Sequence, residues 1–322
     1  MIMDALQLNE KWNLIKPSDT VKILRIDSLC KPDLSIGIDQ FGKRCLSLKS
    51  RSINENYLEG GEFSNLSIIF LPSEDRVIIR VLEEYFWDLF NDFVISIYHK
   101  IYQIEDDATC VKEFFRTFNR WVYFFDEKRG SKISEEVLVG IFGELIFIDY
   151  LLSQPSMGFK LSAIEQSWVG PYDKGHDFEF LDVDFEIKTK PPRSLDVHIA
   201  SEFQLQEDVG KQLELVVVDI EKDYMEGKTI KDIISVLKDK IITLGGDISF
   251  IVEGLKQKNI NFSELDDYEN FRFKSHRITF YDCLAEGFPK IQRTLLDQSI
   301  RKVRYQIRLS NLTEYIKLEQ SL

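Results

Sequence analysis

The chain has 322 residues, of which 44% are hydrophobic and 12% aromatic, enough for one large domain or two to three small ones. Its formal net charge of −13 argues mildly against a protein that coats nucleic acid without specificity, because affinity for phosphates comes from Lys and Arg, but it leaves room for a local basic groove. No run of 18 apolar residues and no basic-then-apolar leader is present, so we expect neither a membrane span nor a secretion signal.

The four cysteines are the first candidates for metal or redox chemistry. They lie far apart in the sequence and form no CxxC pair, so the sequence predicts neither a zinc site nor a disulfide framework. We therefore expect a reduced, cytoplasmic protein. The four residues are Cys30, Cys45, Cys110 and Cys283.

The first predicted region, residues 1–126, begins with short strands and ends in helices. The strand runs are VKILRI, LSIGI, CLSLK, LSIIFL and VIIRVL, separated by turn-type residues such as PSED. A helical stretch is predicted from about Glu84 to Phe125. Its many aromatic side chains favour a buried helical layer, and a platform that stacks nucleic-acid bases is the alternative.

The second region, residues 127–220, opens with the polar break EKRGSK and a long helix. Ser134 is the predicted N-cap, and Glu135 and Glu136 fall in the first turn, where negative charge favours the helix dipole. Helical spacing predicts one apolar stripe on this helix. The stripe is formed by Val137, Ile141, Leu145, Ile148 and Leu152.

Glu144 points with that stripe and is the first candidate functional residue. It stands three residues after Ile141 and four before Ile148, so its carboxylate needs a partner or a metal. The alternative is a Glu at the edge of the stripe that pairs with a Lys or Arg. Gly140 and Gly143 lower helix propensity and permit another backbone to approach closely.

The rest of the second region is rich in predicted strands. The runs are FKLSAIEQSWV, HDFEF, VDFEIKTK, DVHIA and LELVVVDI. Between the last two, Ser201 is placed to cap one helical turn that carries Gln204. The order helix, three strands, short helix, strand predicts an α/β (α+β) core of about 85 residues. We expect Trp168 to pack under its sheet and His176 to be buried or hydrogen-bonded, with base stacking and metal contact as the alternatives.

The stretch DKGHDFEFLDVDFEIKTK predicts a hairpin with its tip at Leu181 and Asp182. In this register Glu179 comes opposite Asp184, and Asp177 comes opposite Glu186. Because side chains alternate along a strand, the second strand carries its acids on one face and apolar side chains on the other.

The pairing of Asp177 with Glu186 is the observation that points to a metal. Two carboxylates directly across a strand pair repel by roughly 0.2–1 kcal/mol, which a cation such as Mg²⁺ would offset. Lys188 shares the face of Glu186, within reach of a phosphate oxygen or an attacking water. The alternative is a solvent-facing hairpin with hydrated charges, because the spacing D-x8-E-x-K also arises by chance.

The third region, residues 221–322, mixes helices and strands. TIKDIISVLKDKII has helical periodicity, and VRYQIRLS alternates apolar with basic or polar residues. Between positions 290 and 308 there are six basic residues and one acid, Asp297. A solvated strand face explains this charge first, and a phosphate-contacting surface is the functional alternative. The six are Lys290, Arg293, Arg301, Lys302, Arg304 and Arg308.

The order of the motifs resembles the core of the PD-(D/E)XK nuclease superfamily. GIFGELIFIDYLL, SWVGPYDKGHDFEF, EIKTK, IASEFQL, FPKIQ and VRYQIRL are most similar to one bacterial PD-(D/E)XK-motif family, called domain of unknown function 4420. The similarity extends over most of the chain. It implies a restriction-endonuclease-like core with a mixed sheet flanked by helices.

The resemblance also implies roles for individual residues. Asp177 and Glu186 would bind the metal, Glu144 would complete the metal site, and Lys188 would position or activate the attacking water. Gln204 would be a further polar catalytic residue. The expected cofactor is Mg²⁺, with Mn²⁺ as a substitute. The expected DNA contacts are Lys190, Arg193, Arg304 and Arg308.

The resulting hypothesis is a divalent-metal-dependent DNA endonuclease in a bacterial restriction or phage-defence system. Its partners would be DNA and other restriction or defence proteins, and a homodimer would present two active sites to two strands. The alternative is a noncatalytic DNA-binding or scaffold subunit that retains the nuclease fold. Cleavage of RNA or of single strands is a third reading that the sequence leaves open.

Overall fold

The computed structural model describes residues 3–16, 22–53, 63, 65–126, 133–154, 157–172 and 175–322. The chain divides into two compact units, the first formed by residues 1–129 with 245–252 and the second by residues 130–244 with 253–322. Within the described ranges, no helix is both long and apolar enough to cross a membrane. The predicted polar break at 127–132 lies outside the described residues, and the three-region division of the sequence stays a prediction.

The first unit contains a five-stranded antiparallel sheet with the strand order β1-β2-β3-β5-β4. All five predicted strand runs fall on these strands, because β-branched and other apolar side chains recur in each of them. A short helix precedes the sheet. The bounds are α1 (Ala5–Leu14), β1 (Lys22–Arg25), β2 (Asp33–Ile38), β3 (Arg44–Lys49), β4 (Leu66–Leu71) and β5 (Arg76–Val81).

The predicted helical stretch in this unit is two helices, α2 (Trp87–Ile101) and α3 (Asp107–Trp121). The break arises because Asp106 begins a new helix, its carboxylate accepting a hydrogen bond of 2.8 Å from the Thr109 backbone N–H. The aromatic side chains form a buried core in which the Phe93 ring lies 5.7–6.2 Å from its neighbours. This confirms the predicted buried layer.

The second unit is built on a mixed five-stranded sheet with the order β12-β10-β9-β7-β6. Strands β7 and β9 are parallel, and the other neighbours are antiparallel. Strands β8 and β11 form a separate antiparallel pair. The bounds are α4 (Glu135–Ser153), α5 (Leu161–Ser167), β6 (Phe178–Glu179), β7 (Val183–Lys190), β8 (Asp196–Ile199), β9 (Gln212–Lys222), α6 (Ile230–Thr243), β10 (Phe273–Asp282), β11 (Tyr305–Arg308) and β12 (Ile316–Ser321). Helix α7 (Ser249–Gln257) includes residues of both units.

Two predicted elements of the second unit are wrong. Most of FKLSAIEQSWV forms the helix α5, because Ala163, Glu165 and Gln166 favour a helix over a strand. The segment after β8 is a hydrogen-bonded turn over residues 201–205 instead of a helical turn. The mixed α/β class of the chain is as predicted.

Helix α4 packs on the sheet and sets the position of the site. Gly143 is required there, because an added Cβ would lie 2.3 Å from the Thr189 side chain of β7, whereas Gly140 has open space around it. Phe147 packs its ring 4.8 Å from that of Phe178 and 5.1 Å from that of Phe185. The helix is buried on more than the predicted stripe, although Val137 is exposed near its first turn.

Candidate active site

The hairpin β6–β7 has the register expected from its sequence. Phe178 pairs with Phe185, and Glu179 pairs with Asp184. Asp177 lies immediately before the first paired residue, and its Oδ2 atom accepts a hydrogen bond of 2.7 Å from the backbone N–H of Ile187. This bond directs the Asp177 side chain toward β7.

Glu186 and Lys188 extend from the same face of β7. The Lys188 Nζ atom donates a hydrogen bond of 2.6 Å to Glu186 Oε1. The Glu186 side chain is 1% exposed, and that of Lys188 is 16% exposed. The lysine is therefore the member of this pair that solvent reaches.

Glu144 reaches the site from α4 and has an unpredicted partner. Its Oε2 atom accepts a hydrogen bond of 2.6 Å from the indole Nε1 of Trp168. Trp168 is buried, as expected, and its ring lies against Gly254, where an added Cβ would be 2.5 Å from the ring. The indole therefore both packs in the core and holds the carboxylate.

Burial controls the protonation of the three acids. Burial and then the charge of Asp177 raise the pKa of Glu144 well above its ordinary value. The same two causes raise the pKa of Glu186 to about 8. Burial also raises the pKa of Asp177, against the lowering effects of the Lys188 charge and the Ile187 N–H. Three carboxylates that share one buried region thus favour added positive charge.

Lys188 keeps its proton. Burial alone would lower the pKa of its ammonium group, but the carboxylates of Glu186 and Asp177 raise it above the ordinary value. The side chain is therefore a cation at neutral pH, suited to stabilise negative charge or to orient a water molecule.

Gly170 lies so close to Asp177 and Glu144 that no side chain fits at its position. An added Cβ on Gly170 would lie 2.6 Å from Asp177 Oδ1 and 3.0 Å from Glu144 Oε2. One oxygen of each carboxylate therefore lies close to the same point beside Gly170, and any side chain at this position would contact both.

The acids line a cavity of about 570 Å³, which we call the carboxylate cavity. It is lined by Glu144, Gly170, Gly175, Asp177, Glu186, Ser201, Phe203, Gln204 and Lys258. A larger cavity of about 820 Å³ also reaches Glu144 and Asp177, and it includes Lys188. The predicted acids and the lysine are thus brought together by the fold.

Lys258 is a site residue that the sequence reasoning missed. It follows α7, and its positive charge lowers the pKa values of both Glu144 and Asp177, against the effect of burial. The surrounding sequence, KQKN, has the composition of an ordinary solvent-facing helix end, so no local signal indicated this position.

Gln204 and His176 are the two other polar residues that the sequence places near the site. Gln204 lines the carboxylate cavity, and its Oε1 atom accepts a hydrogen bond of 2.7 Å from the backbone N–H of Ala200. His176 is buried, with Nδ1 3.8 Å from Asp184 Oδ2, as expected for a core histidine. Gln204 therefore shapes the cavity wall, and His176 belongs to the core.

The predicted DNA contacts are not all accessible. Lys190 is 8% exposed, and its Nζ atom lies 2.6 Å from Asp219 Oδ1 on the neighbouring strand, so this charge serves a buried ion pair. Arg193 is exposed outside the site. Arg308 is exposed and pairs with Asp196 at 3.1 Å. Arg304 is exposed and lines a further cavity of about 670 Å³.

The donor chemistry of the site fits a hard divalent cation. Glu144, Asp177 and Glu186 supply carboxylate oxygens, which are the ligands that Mg²⁺ and Mn²⁺ take. Oxygens of Asp177 and Glu144 approach one point beside Gly170. One oxygen of each carboxylate is engaged by a protein donor. Within the ranges given above, no three His, Cys, Asp or Glu side chains have the arrangement of a metal site.

Comparison with protein families gives one matching family model. The model of one family, described as "Putative PD-(D/E)XK family member, (DUF4420)", matches residues 8–310. Neither the curated proteins nor the solved structures contain a match to the chain. Since the family model matches far more than half of the sequence, the chain belongs to the PD-(D/E)XK-motif family called domain of unknown function 4420.

Proposed function

We propose that the protein is a divalent-metal-dependent endonuclease that hydrolyses phosphodiester bonds in DNA. The proposal rests on the convergence of four side chains. Glu144 from α4, Asp177 from the start of the hairpin, and Glu186 with Lys188 from β7 converge on one buried region that opens into two cavities. Three acids that can bind a divalent cation and a lysine that can stabilise negative charge are the groups that phosphodiester hydrolysis requires.

The three acids would hold the cation. Asp177 and Glu186 would bind it, and Glu144 would complete the site. A bound divalent cation would polarise the scissile phosphate and lower the pKa of water. Trp168 and the Ile187 backbone N–H each fix one oxygen of their carboxylate, which limits the conformations of the acids before any ligand binds.

Lys188 would act on the phosphate as a cation. Its raised pKa makes it a poor general base at neutral pH, so we assign it the orientation of the attacking water and the stabilisation of charge on the phosphate oxygens. Its partial exposure allows direct contact with a substrate.

A plasmid cleavage assay with Mg²⁺ or Mn²⁺ tests the proposal. We expect the wild type to cut, and Lys188→Ala and Asp177→Ala to lose at least about a hundredfold in rate. Lys211→Ala is the matched control, because Lys211 pairs with Asp184 at 2.9 Å and lies outside the lining of both acid-lined cavities.

Two results would contradict the proposal. If wild type and both site variants are equally inert on modified and unmodified DNA, with neighbouring gene products added, the nuclease assignment fails. If Lys188→Ala and Asp177→Ala cut as fast as the wild type, the residue assignment fails.

A noncatalytic DNA-binding or scaffold subunit is the second candidate. Among the described residues, no three His, Cys, Asp or Glu side chains are already arranged around a metal position, which favours this second candidate. Tight DNA binding in EDTA, with no turnover in either metal, would support this candidate over the first.

We further propose a role in restriction or phage defence, which rests on the family resemblance. Phage plating efficiency on cells that express the wild type should fall relative to cells that express Lys188→Ala. Equal plating across a broad panel of phages would remove this part of the proposal.

A further inference from the structure

We infer that a second site beside the carboxylate cavity binds an unpaired nucleotide of DNA, with its base stacked on Phe203 and its phosphates held by Arg301, Lys302 and Arg304. This inference rests on the proposed nuclease function for the identity of the ligand as DNA. It adds that part of the substrate is single-stranded.

The site is the cavity of about 670 Å³ that Arg304 lines, which we call the basic cavity. Its lining consists of Ala200, Ser201, Glu202, Phe203, Arg293, Arg301, Lys302 and Arg304. Ser201 and Phe203 also line the carboxylate cavity. A strand with its scissile phosphate at the acids would therefore pass over the 201–203 turn into the basic cavity.

The turn holds Phe203 in an exposed position. Ser201 Oγ accepts a hydrogen bond of 3.3 Å from the Phe203 backbone N–H, and Gln204 Oε1 accepts one of 2.7 Å from that of Ala200. Leu205 is buried in the apolar cluster beneath β8 and β11. These anchors leave the Phe203 side chain 50% exposed between an acidic and a basic cavity. A ring in that place can stack on a base while cations hold the adjoining phosphates.

Two charged residues of the basic cavity build its wall. Glu202 is 4% exposed, and its Oε2 atom accepts a hydrogen bond of 2.9 Å from the Val303 backbone N–H. Arg293 lies 3.9 Å from Glu202 and donates to the carbonyls of Ile300 and Gln298. The hydrogen bonds of both side chains therefore stabilise the conformation of the 298–303 loop.

The other three cations face solvent. Arg301, Lys302 and Arg304 are exposed, and no carboxylate of the described residues forms an ion pair with them. Lys302 has a φ of +59°, a left-handed conformation that is strained for a non-glycine residue and persists where neighbouring contacts impose it. In a chain of net charge −13, this concentration of unpaired positive charge is suited to bind phosphates.

The ligand must be unpaired for a geometric reason. In a duplex each base is covered on both faces by its neighbours, so the ring of Phe203 finds no free face. In a single strand or a displaced nucleotide one face is open, and every base can use it. A duplex would contact the three cations without the ring.

Fluorescence anisotropy with a short labelled single strand in EDTA tests the aromatic contact without cleavage. We expect Phe203→Ala to weaken single-strand binding about tenfold, and Phe203→Trp to retain it with quenched indole emission. The same strand annealed to its complement should bind Phe203→Ala as well as it binds the wild type. Phe41→Ala is the matched control, since Phe41 is 70% exposed in the first unit.

Salt dependence tests the cations. Replacing Arg301, Lys302 and Arg304 together with Ala should reduce the slope of log Kd against log salt by about 2 for the single strand, since each phosphate contact contributes about 0.7. The control is the joint replacement of three exposed cations of the first unit, Lys49, Arg51 and Lys112, which should leave the slope unchanged.

Several outcomes would overturn the inference. These are a wild type that binds only duplex, a Phe203→Ala variant with unchanged single-strand affinity, and a Phe41→Ala variant that weakens binding equally. If an RNA strand of the same sequence binds clearly more tightly than the DNA strand, the ligand of this site is RNA, and the inference as stated is overturned. Phe203-dependent binding without cleavage in any metal would instead refute the proposed nuclease function and leave the nucleotide site standing.

Discussion

The indole of Trp168 donates a 2.6 Å hydrogen bond to the buried carboxylate of Glu144. This bond joins α4 to the segment between α5 and the hairpin, and so it connects two of the elements that form the site. Trp168 therefore contributes a polar contact in addition to the packing that its sequence context predicted.

Trp168→Phe should destabilise the protein. The change keeps most of the ring but removes the donor from a buried carboxylate, which costs about 1–3 kcal/mol. Urea denaturation at neutral pH measures the free energy of unfolding. Trp121→Phe is the control, because Trp121 is fully buried and its Nε1 atom has no hydrogen-bond partner among the described residues. Equal losses in the two variants would show that packing, not the hydrogen bond, is responsible.

The stability of the metal-free protein should fall as pH rises from about 5 to about 8. Burial and the charge of Asp177 raise the pKa of Glu186 from 4.5 to about 8, so in this window the folded state keeps a proton that the unfolded state has lost. The free energy of unfolding then decreases by about 1.4 kcal/mol per pH unit for this group. Above the folded pKa the loss is complete.

Chemical denaturation in EDTA across this window checks the prediction. Glu186→Gln should reduce the slope, because the side chain no longer titrates. The exposed Glu226 gives the control Glu226→Gln, which should keep the wild-type slope. An unchanged slope in Glu186→Gln would show that Glu186 ionises normally in the folded protein.

Lys258→Ala should have opposite effects on cation and DNA binding. Its positive charge acts on Glu144 and Asp177, so its removal should tighten Mn²⁺ binding about fivefold and weaken DNA binding in EDTA. Isothermal titration with each ligand separates the two effects. Lys256→Ala, on the neighbouring helix end, is the control. A variant that loses affinity for both ligands would indicate a structural role for Lys258.

Lys190→Met should affect stability and leave DNA affinity unchanged. Lys190 lies in a buried ion pair with Asp219, and Asp219 keeps a second partner in Arg277 at 2.8 Å. We therefore expect a loss of about 1–3 kcal/mol, less than for an acid left with no partner. Thermal denaturation and a DNA-binding titration check the two parts. Weaker DNA binding with unchanged stability would instead support Lys190 as a DNA contact.

The parts of the site that were predictable depend on local periodicity. Alternation along a strand placed Glu186 and Lys188 on one face, and the hairpin count gave the pairing of Glu179 with Asp184. Helical spacing directed Glu144 inward. Each of these relationships spans few residues, so the sequence pattern itself contains the geometry.

The missed parts depend on contacts between distant segments. Trp168 meets Glu144 across 24 positions, and Lys258 reaches the acids from a helix end more than a hundred positions from Glu144. Lys190 shares the face of Lys188 by alternation, yet it is buried because the parallel pairing of β7 with β9 places Asp219 opposite it. Strand neighbours of this kind are set by tertiary structure, which periodicity does not encode.

Gly170 gives the site a steric requirement in addition to its chemical one. A single methyl group at this position would occupy the point that Asp177 and Glu144 face, without changing any charge. Among relatives, chains that keep both acids but carry a larger residue here are expected to be inactive despite an intact motif. Under the proposed function, the residue that aligns with Gly170 therefore offers a simple criterion for separating members expected to cleave from those that retain only the fold.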